Sequence, residues 1–299
     1  MSEEQGYGSP GAFRRALTDR LKKIAAESRW TLPQLQRQMA YDRLLERLYL
    51  VDDGWIVKGA AALLARDLGM RATIDVDLYR ARAREIAEAE LREAASRDIG
   101  DWFRFEVGAG RPVGDRDDAG VRLPAIAYIG PTVWSEFHVD LVGANLRMTS
   151  EPEPVPPLAR VVMPDVQQHG YRAYPLVDHV ADKVVATFQR YGDQEVPSTR
   201  YKDLVDLVAI VTAASLPAEA QRVALASEAE RRGVWLPQRF EVPDRKLWEP
   251  GYAAEARRSL LPLARTLDEA LGTVCPCLDP LLDGTASGKW DPRAARWVN

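Results

Sequence analysis

The sequence predicts an α/β (α+β) protein in which helices lead, strands fill the rest of the first half, and helices dominate a larger second half. Three observations predict this. Apolar residues recur at helical spacing before residue 50, short apolar or alternating runs bounded by turn formers lie between 55 and 142, and Leu, Val and Phe return to helical spacing after 175. At 299 residues with 46% hydrophobic content, the chain can bury one large core or two smaller ones. The proline-rich stretch 151–157 reads as a linker or extended crossover. It divides the chain into a disordered start over 1–12, helices and a sheet-containing core over 13–157, and a mainly helical domain over 158–299.

Forty Lys and Arg against 44 Asp and Glu give a net charge of -4, which excludes a surface that is basic throughout but allows a local basic groove for nucleic acid. Cys275 and Cys277 are too close in sequence for an ordinary disulfide and lack nearby zinc partners, so reduced thiols are expected. The start carries acids and turn formers rather than a basic end and an apolar run. No stretch approaches the ~20 apolar residues of a membrane span. The expectation is a cytoplasmic protein with no membrane partner.

Phe13, Leu17, Leu21, Ile24 and Ala25 define a first amphipathic helix. Thr31 and Pro33 supply start signals for a second, continued by Leu35, Met39, Leu44, Leu45, Leu48 and Leu50. The basic residues of both read as solvated helix faces. Trp55-Ile56-Val57 is a short buried-type strand, and Gly59 opens a helix over 60–67. A chain that turns at glycine into a helix N-terminus offers free N–H groups suited to a phosphate; the same glycine also serves a tight strand-to-helix connection.

The next strand carries Asp75 and Asp77. Strand residues two apart share a face, so the two carboxylates lie side by side, while Ile74, Val76 and Leu78 make the strand otherwise buried. Two such carboxylates need a shared proton, a basic partner or a divalent ion, and we read a hard-metal site. After an Ala- and Glu-rich exposed helix over 83–96, Phe103 to Val107 alternates as a strand. The glycines and aspartates of 108–120, Asp115, Asp117 and Asp118 among them, read as a hairpin-like loop with a solvated turn. Pro124 weakens the strand 121–129 or places it at an edge. In the strand that follows, Glu136, His138 and Asp140 share one face and Phe137, Val139 and Leu141 the other. Asp140 is the natural third carboxylate, with His138 a hydrogen-bonded structural residue.

In the second half, Leu176, Val180, Val184 and Phe188 set a helix that carries Lys183 beside its apolar stripe. Lys183 either pairs locally, for instance with Asp182, or holds a phosphate as a compact cation. A further helix contains Asp203 and Asp206 on neighbouring turns, and Asp203 fits a capping role as well as a catalytic one. Helices over 218–232 and 253–271 follow, joined by the aromatic and basic stretch 234–240. With Arg231, Arg232, Arg245, Lys246, Arg257 and Arg258 this half offers a basic surface with aromatics that suits RNA, or these residues simply solvate helix faces.

These pieces resemble the AbiEii/AbiGii-type nucleotidyltransferase toxins, including the mycobacterial MenT-type toxins, a branch of the DNA polymerase beta-like superfamily. The resemblance rests on Val57-Lys58-Gly59-Ala60 with Arg71-x-Thr73-x-Asp75-x-Asp77-Leu78, on Phe137-x-Val139-Asp140, on Asp182-Lys183-x-x-Ala186 and on Arg200-x-Lys202-Asp203-x-x-Asp206, in this order across residues 13–214. It implies a polymerase-beta-like core with a mixed sheet and a helical second half that completes the active site. It also implies Mg²⁺, with Mn²⁺ as an alternative, held by Asp75, Asp77 and Asp140.

On this resemblance Lys58, Gly59, Ala60, Lys183 and Arg200 would meet the NTP, with Asp203 or Asp206 orienting Lys183. Family members carry Gly-Gly or Gly-Ser where this chain has Gly59-Ala60, so phosphate contact there would rest on backbone N–H groups. The implied partners are an NTP, a tRNA or other RNA acceptor extended at its 3′ end, and a cognate antitoxin. Thr73 occupies a position where related toxins carry a hydroxyl that an antitoxin modifies. Two other readings are a nucleotidyltransferase with a protein or small-molecule acceptor, and a non-catalytic binding module.

Overall fold

The first helix, α1 (Pro10–Glu27), starts where Ser9 accepts a hydrogen bond from the Ala12 N–H at 3.2 Å and Pro10 takes the first helical position. It buries Phe13, Leu17 and Leu21. Residues 10–12 of the segment expected to be disordered are therefore helical, because serine and proline supply a start signal ahead of the first apolar residue. The structure, a computed structural model, describes residues 6–68, 72–113, 120–143, 147–159, 161–164, 166–259 and 261–299. Residues 1–5, Arg71 and the loop aspartates Asp115, Asp117 and Asp118 lie outside these.

Helix α2 (Leu32–Tyr49) opens with the Thr31 N–H donating to Gln34 Oε1 at 2.9 Å. It buries Leu35, Met39, Leu44, Leu45 and Leu48, whereas Leu50 lies past its end and is exposed. Its charged residues depart from the solvated face expected: Asp42, Arg43, Glu46 and Arg47 are all buried. Arg43 Nε and Arg47 Nη2 reach the buried Asp101 at 2.6 and 2.7 Å. Burial pushes that carboxyl up, and the two guanidiniums outweigh it, holding Asp101 below the usual carboxylate range.

Two compact units make up the chain. The first comprises Met1–Arg66, Thr73–Leu146 and Glu153–Ala173. After α2 it contains β1 (Trp55–Lys58), α3 (Gly59–Ala65), β2 (Asp75–Arg80), α4 (Arg84–Ser96), β3 (Phe103–Val107), β4 (Arg111–Val113), β5 (Gly120–Ile129), β6 (Thr132–Val142), β7 (Glu153–Val155) and β8 (Tyr171–Ala173). The strands form one sheet in the order β3-β5-β6-β2-β1-β8-β7, with β4 also on β5. It is mixed, as the resemblance implies: β2 runs parallel to β6 and β1 to β8, and the other pairs are antiparallel. Helix α4 is not simply exposed, since Ala87, Leu91, Ala94 and Ala95 pack inward.

Two expectations about prolines meet the structure differently. Pro124 does not put β5 at an edge, because β5 pairs with β6 on one side and with β3 and β4 on the other. It falls between Ala125, which pairs with Val107, and Arg122, which pairs with Arg111, and its carbonyl accepts from the Gly108 N–H at 2.9 Å. Its missing N–H faces that gap, where no ladder bond is lost. The proline-rich stretch 151–157, expected as a linker or extended crossover, contains a boundary between the two compact units, after Pro152, and supplies β7, an edge strand of the first unit that tolerates Pro154.

The second unit comprises Asp67–Ala72, Arg147–Pro152 and Tyr174–Asn299. It is mainly helical, as expected, with α5 (Leu176–Phe188), the short pair β9 (Arg190–Tyr191) and β10 (Val196–Pro197), α6 (Tyr201–Ala213), α7 (Ala218–Arg232), α8 (Arg245–Arg258), α9 (Leu267–Leu282), and the terminal pair β11 (Lys289–Asp291) and β12 (Arg296–Val298). The continuous helix expected over 253–271 is two helices. Thr266 and Glu269 form a capping box that starts α9 afresh. Cys275 and Cys277 are free thiols within α9, and burial pushes Cys275 up to about 11 and Cys277 higher still.

Candidate active site

The acidic centre of the first unit is built by three adjacent strands. In β2, Val76 and Leu78 are fully buried while Asp75 and Asp77 occupy the half-buried face. Ile74, expected to continue the buried set, precedes the strand and is 62% exposed. The parallel pairing of β2 with β6 sets Asp77 beside Asp140 and Asp75 beside His138. The antiparallel pairing with β1 sets Lys58 beside Asp77. The third carboxylate singled out in the sequence is therefore the cross-strand neighbour of the second. His138 is exposed, and its backbone N–H donates to the Ile74 carbonyl at 3.4 Å.

Each carboxylate has its own support. Gly59 has φ +57°, and a Cβ there would lie 1.8 Å from Asp77 Oδ2 and 3.2 Å from Asp77 Cβ. The glycine is needed both for its left-handed backbone and for the room it leaves Asp77. Helix α3, which it opens, has 7 residues, with Ala60 buried in its first turn. Thr73 is buried, and its hydroxyl donates to the Asp75 carboxylate, with the Asp75 carbonyl at 3.1 Å. The Thr73 carbonyl in turn accepts from Tyr41 Oη at 3.2 Å and Arg37 Nη1 at 3.4 Å. Burial raises the Tyr41 phenol well above its ordinary value, and Asp75 and Asp77 raise it further while Arg37 opposes them.

Asp140 is held by Arg122 of β5, its direct cross-strand neighbour. Arg122 Nε donates to Oδ1 at 2.7 Å and Nη2 to Oδ2 at 2.6 Å, a two-pronged pairing. The same Nη2 lies 3.6 Å from Asp75 Oδ2. The bond to Asp140 raises the guanidinium above its ordinary value, with Asp75 and Asp77 adding to it. Hard carboxylate oxygens suit Mg²⁺ or Mn²⁺ chemically. As arranged, however, both Asp140 oxygens are committed to Arg122. Among the described residues no three His, Cys, Asp or Glu side chains are grouped so as to hold a metal ion.

A second cluster lies within the second unit. Lys183 on α5 donates to Asp203 Oδ1 at 3.0 Å and Asp206 Oδ2 at 2.7 Å, both on α6, and all three are buried. Burial opposes the ammonium, and the two carboxylates outweigh it, holding Lys183 above the usual lysine value. Asp203 is pushed up by burial and down by Lys183 and Arg200, ending at about 2. Its oxygens serve this ion pairing, since Arg200 also donates to it. The ammonium expected to meet a phosphate is thus committed to two carboxylates. Asp182, the local partner weighed for it, lies 3.5 Å from Arg232 instead. Arg200 has its side chain half exposed.

The structure brings Asp75, Asp77 and Asp140 together with Gly59 and Lys58 in the first unit, and Lys183, Arg200, Asp203 and Asp206 together in the second. Arg122, Tyr41 and Arg37 escape the sequence reading. The signal for Arg122 is its place on the polar face of an alternating strand that leads through a tight turn into the strand of Asp140.

Residues 43–273 match the family model described as the nucleotidyl transferase AbiEii toxin of type IV toxin–antitoxin systems. No curated protein sequence matches the chain. Among solved structures, the chain is similar to MenT4, a nucleotidyltransferase toxin from Mycobacterium tuberculosis, at 14% identity and TM-score 0.58 over 89% of this chain and 89% of that one. It also matches JHP933 from Helicobacter pylori at 16% identity and TM-score 0.44, over 87% and 91% of the two chains. The MenT4 likeness speaks to the fold, and among the described residues no helix is long and apolar enough to cross a membrane. With the family model spanning most of its length and the acidic strands inside that span, the chain belongs to the AbiEii nucleotidyl transferase toxin family.

Proposed function

We propose that this toxin is a metal-dependent nucleotidyltransferase that moves nucleotides from an NTP to the 3′ end of tRNA, blocking aminoacylation and growth, and that a cognate antitoxin restrains it. The observation that carries the reading is the register of β2 and β6, which sets Asp77 and Asp140 side by side with Asp75 on the same strand face. Asp75, Asp77 and Asp140 would hold Mg²⁺, or Mn²⁺, which when bound draws charge from the triphosphate and makes the acceptor hydroxyl more acidic.

The chain's own residues do the rest. Gly59 leaves Asp77 its place, and Thr73 fixes the Asp75 carboxylate. Asp140 is the base-side carboxylate, receiving the proton of the attacking 3′-hydroxyl as pyrophosphate departs. Within the second unit, Asp203 and Asp206 hold Lys183, and Asp203 also holds the half-exposed Arg200.

The test is incubation with labelled NTPs, Mg²⁺ and total tRNA, comparing wild type with Asp75→Ala and Lys183→Ala. The expected result is tRNA labelling by wild type and its loss in Asp75→Ala. Equal labelling by all three proteins overturns the reading. Label on protein or on a small molecule, with tRNA unlabelled, replaces the acceptor.

A further inference from the structure

We infer that Arg122 is a built-in competitor of the divalent ion, a tethered cation that occupies Asp140 until metal displaces it and thereby sets the metal affinity of the site. The inference rests on the metal-dependent reading above and adds a residue outside the motifs on which the resemblance rests.

The geometry is that of a counter-ion rather than of an incidental surface pair. Arg122 covers both Asp140 oxygens at 2.6 and 2.7 Å, and the same Nη2 stands 3.6 Å from Asp75 Oδ2. The guanidinium therefore contacts carboxylates from β6 and β2 at once, which is the task assigned to the ion. The planar fork takes one lone pair on each Asp140 oxygen and places a fixed positive charge there, which a divalent ion at the same carboxylate must contend with.

Release is feasible. The Arg122 side chain is 44% exposed, whereas Asp75 and Asp140 are 30% and 19% exposed. The arginine can swing to water while the carboxylates stay fixed on their strands. A part-exposed pair of this kind is weak enough for a divalent ion to displace. The exchange keeps the carboxylates neutralised in both states, so the site avoids bare repulsion when no ion is bound.

The experiment is titration of the full-length protein with Mn²⁺ alone, followed by electron paramagnetic resonance of the free ion. It compares wild type, Arg122→Ala and Arg122→Gln, each also in an Asp140→Asn background. Arg122→Gln keeps most of the stem, so one of the pair serves if the other fails to fold. The expected result is Mn²⁺ binding tightened about fivefold in the Arg122 variants, with the gain abolished when Asp140 is Asn.

Unchanged or weaker binding in the Arg122 variants overturns the inference while leaving the metal site standing. A gain that persists in the Asp140→Asn background reduces Arg122 to a remote charge and overturns it too. Absence of Mn²⁺ binding in every variant overturns the inference and the metal-dependent reading together.

Discussion

Gly59 and Asp77 compete for one volume: a Cβ on Gly59 would lie 1.8 Å from Asp77 Oδ2 and 2.6 Å from its Cγ. The glycine of the strand-to-helix turn is therefore explained by the carboxylate beside it, before any phosphate is invoked. A side chain at 59 also meets a left-handed backbone at φ +57°.

Gly59→Ala is expected to lose roughly a hundredfold in nucleotide transfer, since Asp77 must move by about an ångström or more. Stability should fall by about 1–2 kcal/mol from the backbone conformation. Rates and melting curves measured side by side check this. A variant as active as wild type would show that Asp77 tolerates displacement.

Thr73 gives the second prediction. Its hydroxyl donates to the Asp75 carboxylate from a buried position and accepts from the Asp75 N–H at 3.4 Å, so Thr73→Val keeps the shape and deletes the hydroxyl's bonds to Asp75. The stability cost should be only about 1 kcal/mol, while transfer falls roughly tenfold because Asp75 loses its orientation. Thr73→Ser should restore most of the rate. Equal rates in the Val and Ser variants would remove the hydroxyl from the argument.

The acidic pair was legible because a strand has a period of two: Asp75 and Asp77 alternate with Val76 and Leu78 whatever the sheet does. Asp140 was legible for the same reason. The pairing of β2 with β6 was not, since a parallel ladder is fixed by a long crossover rather than by adjacent residues. Arg122 was missed through a single residue. A register shift at Ala127/Tyr128 leaves Trp134 as an extra residue in β6, and that shift moves Asp140, not Val139, opposite Arg122. Without it the polar face of β5 would meet the apolar face of β6. Arg43 and Arg47 were misread as solvated because Asp101, which neutralises them, comes from a distant part of the chain. Local charge patterning cannot distinguish a wet helix face from a buried one that has found its counter-charge.

The buried cluster on α5 and α6 makes the last prediction, one of pH dependence. Asp203 titrates at about 2 in the folded chain against an ordinary 3.8, so its folded value is depressed. Its contribution to stability is therefore complete above 3.8 and disappears as pH falls through about 2. Lys183 is raised above its ordinary 10.5, so its contribution is complete below that value and is lost only at more alkaline pH. Wild type should show no change in urea midpoint from this cluster between about pH 5 and 9.

Lys183→Met should reverse the acid limb. The methionine fills much the same space but leaves Asp206 without its ammonium in a fully buried position. With the ammonium gone, the buried cluster loses a positive charge, so the folded variant should bind protons more tightly than the unfolded chain and its stability should rise as pH drops from about 7 to 4. At neutral pH the variant should lose about 3–5 kcal/mol, the usual cost of removing one partner from a buried ion pair. Arg200 still faces Asp203 in this variant. Urea unfolding of both proteins across this range decides the matter. If Lys183→Met kept the flat wild-type profile, the ammonium would not be what holds the two carboxylates charged inside the second unit.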